Sequence, residues 1–272
     1  MNHSTSRAVL TVSFGTSIRE TRTKTLDAIE YTFRSSHPDL FHEHAWTSKQ
    51  LRANVQKAES LTIRSVQEAL AQMNADGIHE VYIQPTFITN GGEYQKLILE
   101  SSAFQHQFQT LRIGSPLLEC EEDIPLIVRA LTQSSAYRRP NSDELLLFMG
   151  HGTTDGDDFL YTQLDKALQS CGIPRLFLKT MRSAASLDEI INFAHEHQIT
   201  KITLAPFMIV AGRHAVKDMA GAQADSWKSR LEQAGFQVHC EMKGLGEIPE
   251  IQQLFLHKLN NLIELSETGL LL

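Results

Sequence analysis

Two turns are each written twice in this chain, and histidine stands in the second copy of both. The first turn is Ser13-Phe14-Gly15-Thr16-Ser17 and again Gly150-His151-Gly152-Thr153-Thr154. The second runs from Pro85 to Asn90-Gly91-Gly92-Glu93, and again from Pro206 to Ala211-Gly212-Arg213-His214. Each copy follows a short apolar run and precedes a helix-like stretch. The copies of the second turn lie closer together than those of the first, as a shortened loop in the second half would produce. Ligands of open α/β sheets bind beyond the carboxyl ends of the strands. The repeat therefore points to two similar lobes, with Phe14, Glu93, His151 and His214 at strand ends facing one cleft and the chemistry biased to one wall.

Between these turns the pattern alternates strand and helix. Ala8–Phe14 is a short strand closed by Gly15, and Ser17-Ile18-Arg19-Glu20 has capping-box spacing for a helix over 17–36 that ends before His37-Pro38. Strands are expected at 41–46, 81–87 and 111–113, with helices over 48–58, 61–75 and 93–108. In the second half Leu145–Met149 is an unbroken apolar run, as a parallel strand covered on both faces requires. Further strands are expected at 176–180, 202–207 and 236–240, and helices at 155–170, 186–198, 215–234 and 249–265. Ile124-Pro125 and Ile248-Pro249 read as matching late loops, and Asp225-Ser226-Trp227-Lys228 as a helix segment whose Trp packs in the core. The fold class is α/β: two pseudo-symmetric lobes, each a four-stranded parallel sheet flanked by helices. The expected lobes are 1–140 and 141–272, joined at Arg138-Arg139-Pro140-Asn141-Ser142, with both histidines in the second.

Composition narrows the partners. A net charge of −7 argues against a general nucleic-acid or anionic-membrane surface. No apolar run approaches the length of a membrane span. Cys120, Cys171 and Cys240 are odd in number and far apart, against a disulfide framework or structural zinc site. With a polar, non-signal amino terminus, the expected location is the cytoplasm. A homo-oligomer is left open.

His151 sits between two glycines, which allow a tight turn and a close ligand approach. The competing reading is simple packing at that turn. The first copy carries Phe14 there, so the turn itself needs no histidine. His214 is either a solvated capping residue or the partner of His151. A pair of neutral imidazoles in a cleft suits metal handling or acid–base chemistry, although two ligands alone do not define a metal site. Glu93, the counterpart of His214, offers a carboxylate, unless it serves only the helix dipole. The acidic run Glu119–Asp123 reads as a solvated loop, and His42-x-His44 is a weak metal signal. P-loop, dinucleotide-binding and nucleophile-elbow sequences are absent.

Val12-Ser13-Phe14-Gly15-Thr16-Ser17, Ile88-Thr89-Asn90-Gly91-Gly92-Glu93-Tyr94, Met149-Gly150-His151-Gly152 and Val210-Ala211-Gly212-Arg213-His214-Ala215 resemble segments of the anaerobic, CbiK-type cobalt chelatases. So do Asp225-Ser226-Trp227-Lys228 and Gly244-Leu245-Gly246-Glu247. The resemblance implies the class II chelatase fold, with a tetrapyrrole cleft between two lobes, and insertion of Co2+ into sirohydrochlorin on the oxygen-independent route to cobalamin. It makes His151 and His214 the metal-binding and proton-accepting pair, with Glu93 auxiliary. Ser13, Phe14, Gly15, Thr16, Gly91, Gly92, Gly152 and Thr153 become the tetrapyrrole-binding turns. It implies no organic cofactor; the divalent metal is substrate, Co2+ first and Fe2+ or Ni2+ as alternatives. Carboxylates of the macrocycle would meet helix starts at Thr16-Ser17 and Thr153-Thr154, helped by Arg19 and Arg213.

The sequence departs from this pattern in two places. Where the family carries a third-ligand glutamate, Leu178–Ser183 brings Met181 nearest, either as a soft metal ligand or as filler of an apolar gap. Where the family has an Asp before the second histidine, Arg213 stands. These departures leave two other readings: a non-catalytic haem or tetrapyrrole carrier on the same scaffold, and a chelatase with altered metal or macrocycle preference.

Overall fold

The computed structural model describes residues 6–153, 158–182 and 184–267. Eight strands form two all-parallel four-stranded sheets. The first contains β1 (Arg7–Ser13), β2 (Phe41–Trp46), β3 (Glu80–Pro85) and β4 (Thr110–Ile113) in the order β2-β1-β3-β4. The second contains β5 (Glu144–Gly150), β6 (Leu176–Thr180), β7 (Lys201–Phe207) and β8 (Gln237–Cys240) in the order β6-β5-β7-β8. Shifted by four strands, the orders are identical, so the doubled turns mark a doubled architecture.

The apolar runs behave as parallel strands buried on both faces. Leu145, Leu147 and Met149 of β5 join a cluster with Leu187, Ile202, Leu204 and Trp227. On the other face of β5, Phe148 meets Tyr137 edge-on at 5.0 Å. In the first sheet Ala8, Leu10 and Val12 pack with Val81, Ile83, Leu70 and Leu97.

The helices depart from expectation where side chains compete with the helical ladder. The stretch expected over 17–36 is two helices, α1 (Arg19–Lys24) and α2 (Leu26–Ser36). They break at the buried Thr25, whose hydroxyl donates back to the Thr21 carbonyl at 2.6 Å and whose ψ is −77°. The expected Ser17 cap is not formed; Ile18 is the N-cap residue, and its N–H goes to Thr16 Oγ1 at 3.2 Å.

After α3 (Lys49–Glu59), the chain turns through Ser60 in the left-handed region. Arg64 then bridges to Ala45, so α4 (Val66–Ala75) starts later than expected, at a capping box between Ser65 and Glu68. Helix α5 (Gly92–Ser102) stops well short of residue 108. The supposed loop around Ile124-Pro125 is a helix, α6 (Asp123–Gln133), with proline in its first turn, where no N–H is needed. Ile248-Pro249 likewise opens α10 (Pro249–Glu267).

Helix α7 spans Phe159–Ser170, after Asp158; residues 155–157 of the expected 155–170 helix lie outside the described residues. Helix α8 spans Ala184–Glu196. The stretch expected as one helix over 215–234 is a π-turn, Ala215–Met219, followed by a non-helical segment and α9 (Trp227–Gln233). Ser226 caps α9 by accepting the Ser229 N–H at 3.1 Å, and Trp227 is buried in the core as expected.

The compact units divide elsewhere than at 140/141. One is Met1–Glu119 together with Gln252–Leu272, and the other is Cys120–Ile251. Helix α6 belongs to the second unit because it packs on α7. Most of α10 belongs to the first: its stripe of Phe255, Leu259, Leu262 and Ile263 is buried, and Asn260 and Lys258 bond His37 and Ser115. Among the described residues no helix is long and apolar enough to cross a membrane.

Candidate metal and tetrapyrrole site

In the second sheet the chain leaves β5 for β6 on one side, then returns past β5 to place β7 on the other. The gap between the carboxyl ends of β5 and β7 is thus the point where connections diverge, the favoured place for a ligand in an open α/β sheet. Gly150 pairs with Phe207 there. His151 follows β5 directly and His214 follows β7 after a short loop, and their rings meet with centroids 5.0 Å apart at 70°.

The turn that carries His151 is held by glycine and by one carboxylate. Gly152 has φ +78°, a left-handed backbone that an L side chain adopts at a cost. A Cβ there would stand 3.1 Å from Asp158 Oδ2 and from Thr180 Cβ. Asp158 accepts the Thr153 N–H at 2.7 Å, the Thr153 hydroxyl at 3.1 Å and the Thr180 hydroxyl at 2.7 Å. Thr153 therefore spends both donors on Asp158; Thr154 lies outside the described residues. The same turn in the first unit has the same backbone, with Gly15 at φ +98°, and a Cβ there would overlap the Trp46 ring.

Hydrogen bonds set the direction of each imidazole. His151 Nδ1 lies 3.1 Å from the Gly152 carbonyl, an acceptor only, so Nδ1 carries the proton and Nε2 keeps its lone pair. Burial pushes the His151 pKa below the ordinary histidine value; the Gly152 carbonyl opposes this, while His214 and Arg182 add to it. His151 is therefore neutral at neutral pH. His214 Nδ1 lies 2.6 Å from Asp218 Oδ2, one turn further on, and donates its proton to that carboxylate. The π-turn beneath is closed by an Ala220 N–H to Ala215 carbonyl bond at 3.0 Å and anchored by the buried Ala215 and Met219. Such insertions are frequent at functional sites.

Met181 follows β6, with its N–H bonded to the Gly150 carbonyl at 2.9 Å, and its side chain packs on the apolar cluster under the second sheet. Among the described residues, no group of three or more His, Cys, Asp or Glu side chains is arranged to hold a metal ion. The chemistry the pair offers is that of two imidazoles, whose ring nitrogens can donate to a metal or accept protons when unprotonated.

In the first unit the equivalent positions follow β1 and β3. Ser13 is buried, its hydroxyl 2.8 Å from that of Thr86 on the next strand, and Thr16 is buried as well. Phe14, the counterpart of His151, is 47% exposed. Gly91 caps α5 and Gly92 begins it, with the Gly91 carbonyl accepting the Gln95 N–H at 3.0 Å. Gly212 does the same for Val216, also at 3.0 Å, so Glu93 and His214 hold matching positions in matching helix starts. Among the described residues, one buried carboxylate oxygen of Glu93 has no hydrogen-bond donor, a costly arrangement.

The other histidine pair is structural. His42 Nε2 bonds the His37 carbonyl at 2.8 Å, and His44 Nδ1 meets Glu30 at 3.2 Å. Asp123, from the acidic run, is buried at the start of α6. Two carboxylates beside the histidines escaped the sequence reading: Asp158, which holds the His151 turn, and Asp218, which meets His214. The spacing of His214 and Asp218, four apart and so on one face of a helical turn, is the signal that could have found the second.

A family model described as cobalt chelatase (CbiK) matches residues 7–264. The sirohydrochlorin cobaltochelatase of Salmonella typhimurium is 32% identical over 260 residues, covering 96% of this chain and 97% of the relative. The sirohydrochlorin cobaltochelatase CbiKC of Nitratidesulfovibrio vulgaris is 30% identical over 258 residues, covering 94% of this chain and 90% of the relative. Among solved structures, SirB from Bacillus subtilis with Fe3+ matches with a TM-score of 0.63 at 12% identity, covering 96% of this chain and 97% of that one. At that identity the likeness is one of fold.

Proposed function

The chain belongs to the CbiK cobalt chelatase family, and from that premise we propose that it is a cytoplasmic sirohydrochlorin cobaltochelatase. The observation that carries the mechanism is the His151–His214 pair, two imidazoles 5.0 Å apart at the carboxyl ends of adjacent strands. Insertion of a divalent metal into the free macrocycle releases two pyrrole N–H protons, and the pyrrole nitrogens take the metal in their place. The Nε2 lone pairs of His151 and His214 hold the incoming Co2+ and then accept protons as the metal leaves them for the macrocycle. Burial keeps His151 free of a proton for this task. The reaction needs no redox group and no covalent nucleophile.

Glu93 is the auxiliary group in this reading, supported by its buried, undonated carboxylate oxygen. In this reading the turns at Gly15, Gly91-Gly92 and Gly152 contact the macrocycle, with Phe14 offering an exposed ring surface. Met181 fills space under the site, as its packing on the apolar cluster supports. The carrier alternative drew on Met181 and Arg213; with Met181 in the packing and a carboxylate supplied by Asp218, it loses its motivation.

Anoxic incubation with sirohydrochlorin and Co2+, followed by absorbance, tests the proposal. The expected result is catalytic conversion to the cobalt chelate. Folded protein that turns over neither Co2+, Fe2+ nor Ni2+ overturns it.

A further inference from the structure

The two histidines are oriented by unlike means. His151 is held by the backbone of its own turn, through the Gly152 carbonyl. The side chain of His214 is 48% exposed, and among the described residues the polar contact on its ring is the Asp218 carboxylate at 2.6 Å. A half-exposed imidazole without a partner is free to turn about its side-chain bonds and to place its proton on either nitrogen.

We propose that Asp218 is a positioning residue of the chelatase site, locking His214 in the Nδ1–H tautomer with Nε2 turned to the metal. A carboxylate accepts only, so the bond to Asp218 fixes the proton on Nδ1. At 2.6 Å it is a short, charge-assisted contact, stronger than a neutral one. The backbone beneath is built to keep the two groups together. The Gly212 carbonyl takes the Val216 N–H, the Ala215 carbonyl takes the Ala220 N–H, and Ala215 and Met219 pin the turn to the core. His151 and His214 then present the same nitrogen, so a metal ion meets two Nε2 donors. A carboxylate behind a ligating histidine orients the ring and raises its basicity.

The inference rests on the chelatase reading, and two measurements separate their fates. Asp218→Ala is examined by the 15N shifts of the His214 ring, at a pH where the imidazole is neutral, and by titration with Co2+ alone. In the unaltered protein His214 is expected in the Nδ1–H form. In the variant that form is lost, and the Co2+ dissociation constant rises about 10- to 100-fold, the range typical of such carboxylates. The KM for sirohydrochlorin is expected to stay unchanged while kcat falls. Should the alanine variant fold poorly, Asp218→Leu keeps the size and removes the acceptor, and the same two readouts apply. An unchanged tautomer, or Co2+ affinity within twofold of the unaltered protein, overturns the proposal. If the unaltered protein inserts no metal while His214 still depends on Asp218, the chelatase reading falls and the positioning role stands.

Discussion

His151 and His214 meet because β5 and β7 are neighbours, with the rings 5.0 Å apart and crossing at 70°. Each Nδ1 is taken by a separate acceptor, the Gly152 carbonyl for His151 and the Asp218 carboxylate for His214. This arrangement is the one that the proposed mechanism uses, with the histidines as partners rather than a relay.

His151→Ala and His214→Ala are each expected to lower kcat/KM for cobalt insertion by about 10²- to 10⁴-fold, the span of a lost acid–base group. Both side chains are partly exposed, so thermal unfolding should be little changed. Anoxic absorbance assays on the two variants check this, and a loss smaller than threefold in either would remove that residue from the mechanism.

Met181→Leu is expected to keep cobalt insertion within about threefold, because a Leu-for-Met exchange in packing costs under about 1.5 kcal/mol. A large rise in the KM for Co2+ with unchanged stability would instead make the thioether a ligand.

Gly152→Ala and Gly15→Ala test the doubled turn. The left-handed backbone alone costs a side chain about 1–2 kcal/mol at each site. Gly15→Ala should lose more, since its new methyl group must displace the buried Trp46 ring. Gly152→Ala should lose activity as well, because Asp158 and Thr180 move with the turn that carries His151. Urea unfolding with an unchanged slope measures the first effect, and turnover measures the second.

The first unit should also lose stability as pH rises past neutrality. Glu30 beside His44 holds that imidazole's pKa above its ordinary value, against the opposing pull of burial. A raised pKa in the folded state gives stabilisation that is complete below the unfolded value of about 6.5. It fades as pH climbs through the folded value. Unfolding followed by Trp46 fluorescence between pH 6 and 8.5 reads this, and His44→Gln should flatten that part of the curve.

The fold was legible where glycine and apolar runs forced the backbone. The turns at Gly15 and Gly152, the strands they close and the identical order of the two sheets follow from the doubled segments. It was illegible where one side chain redirected a helix. Thr25 breaks the first helix by bonding backward, and the π-turn after His214 replaces the start of a long helix. Pro125 looks like a breaker until its place in a first turn is seen. At the site, the histidines were marked by the repeat, because Phe14 and Glu93 showed what the turns do without them. Asp158 and Asp218 lie outside the repeated segments, so nothing in the repeat singled them out.

Helix α10 carries a consequence for how the molecule is made. Residues Cys120–Ile251 form one unbroken unit, whereas the first unit needs Gln252 onward to cover it. Phe255, Leu259, Leu262 and Ile263 are its last core residues to leave the ribosome. The half of the protein translated first is therefore finished last. Until that helix is made the first sheet stands without it, while the half that carries both histidines has its whole sequence already.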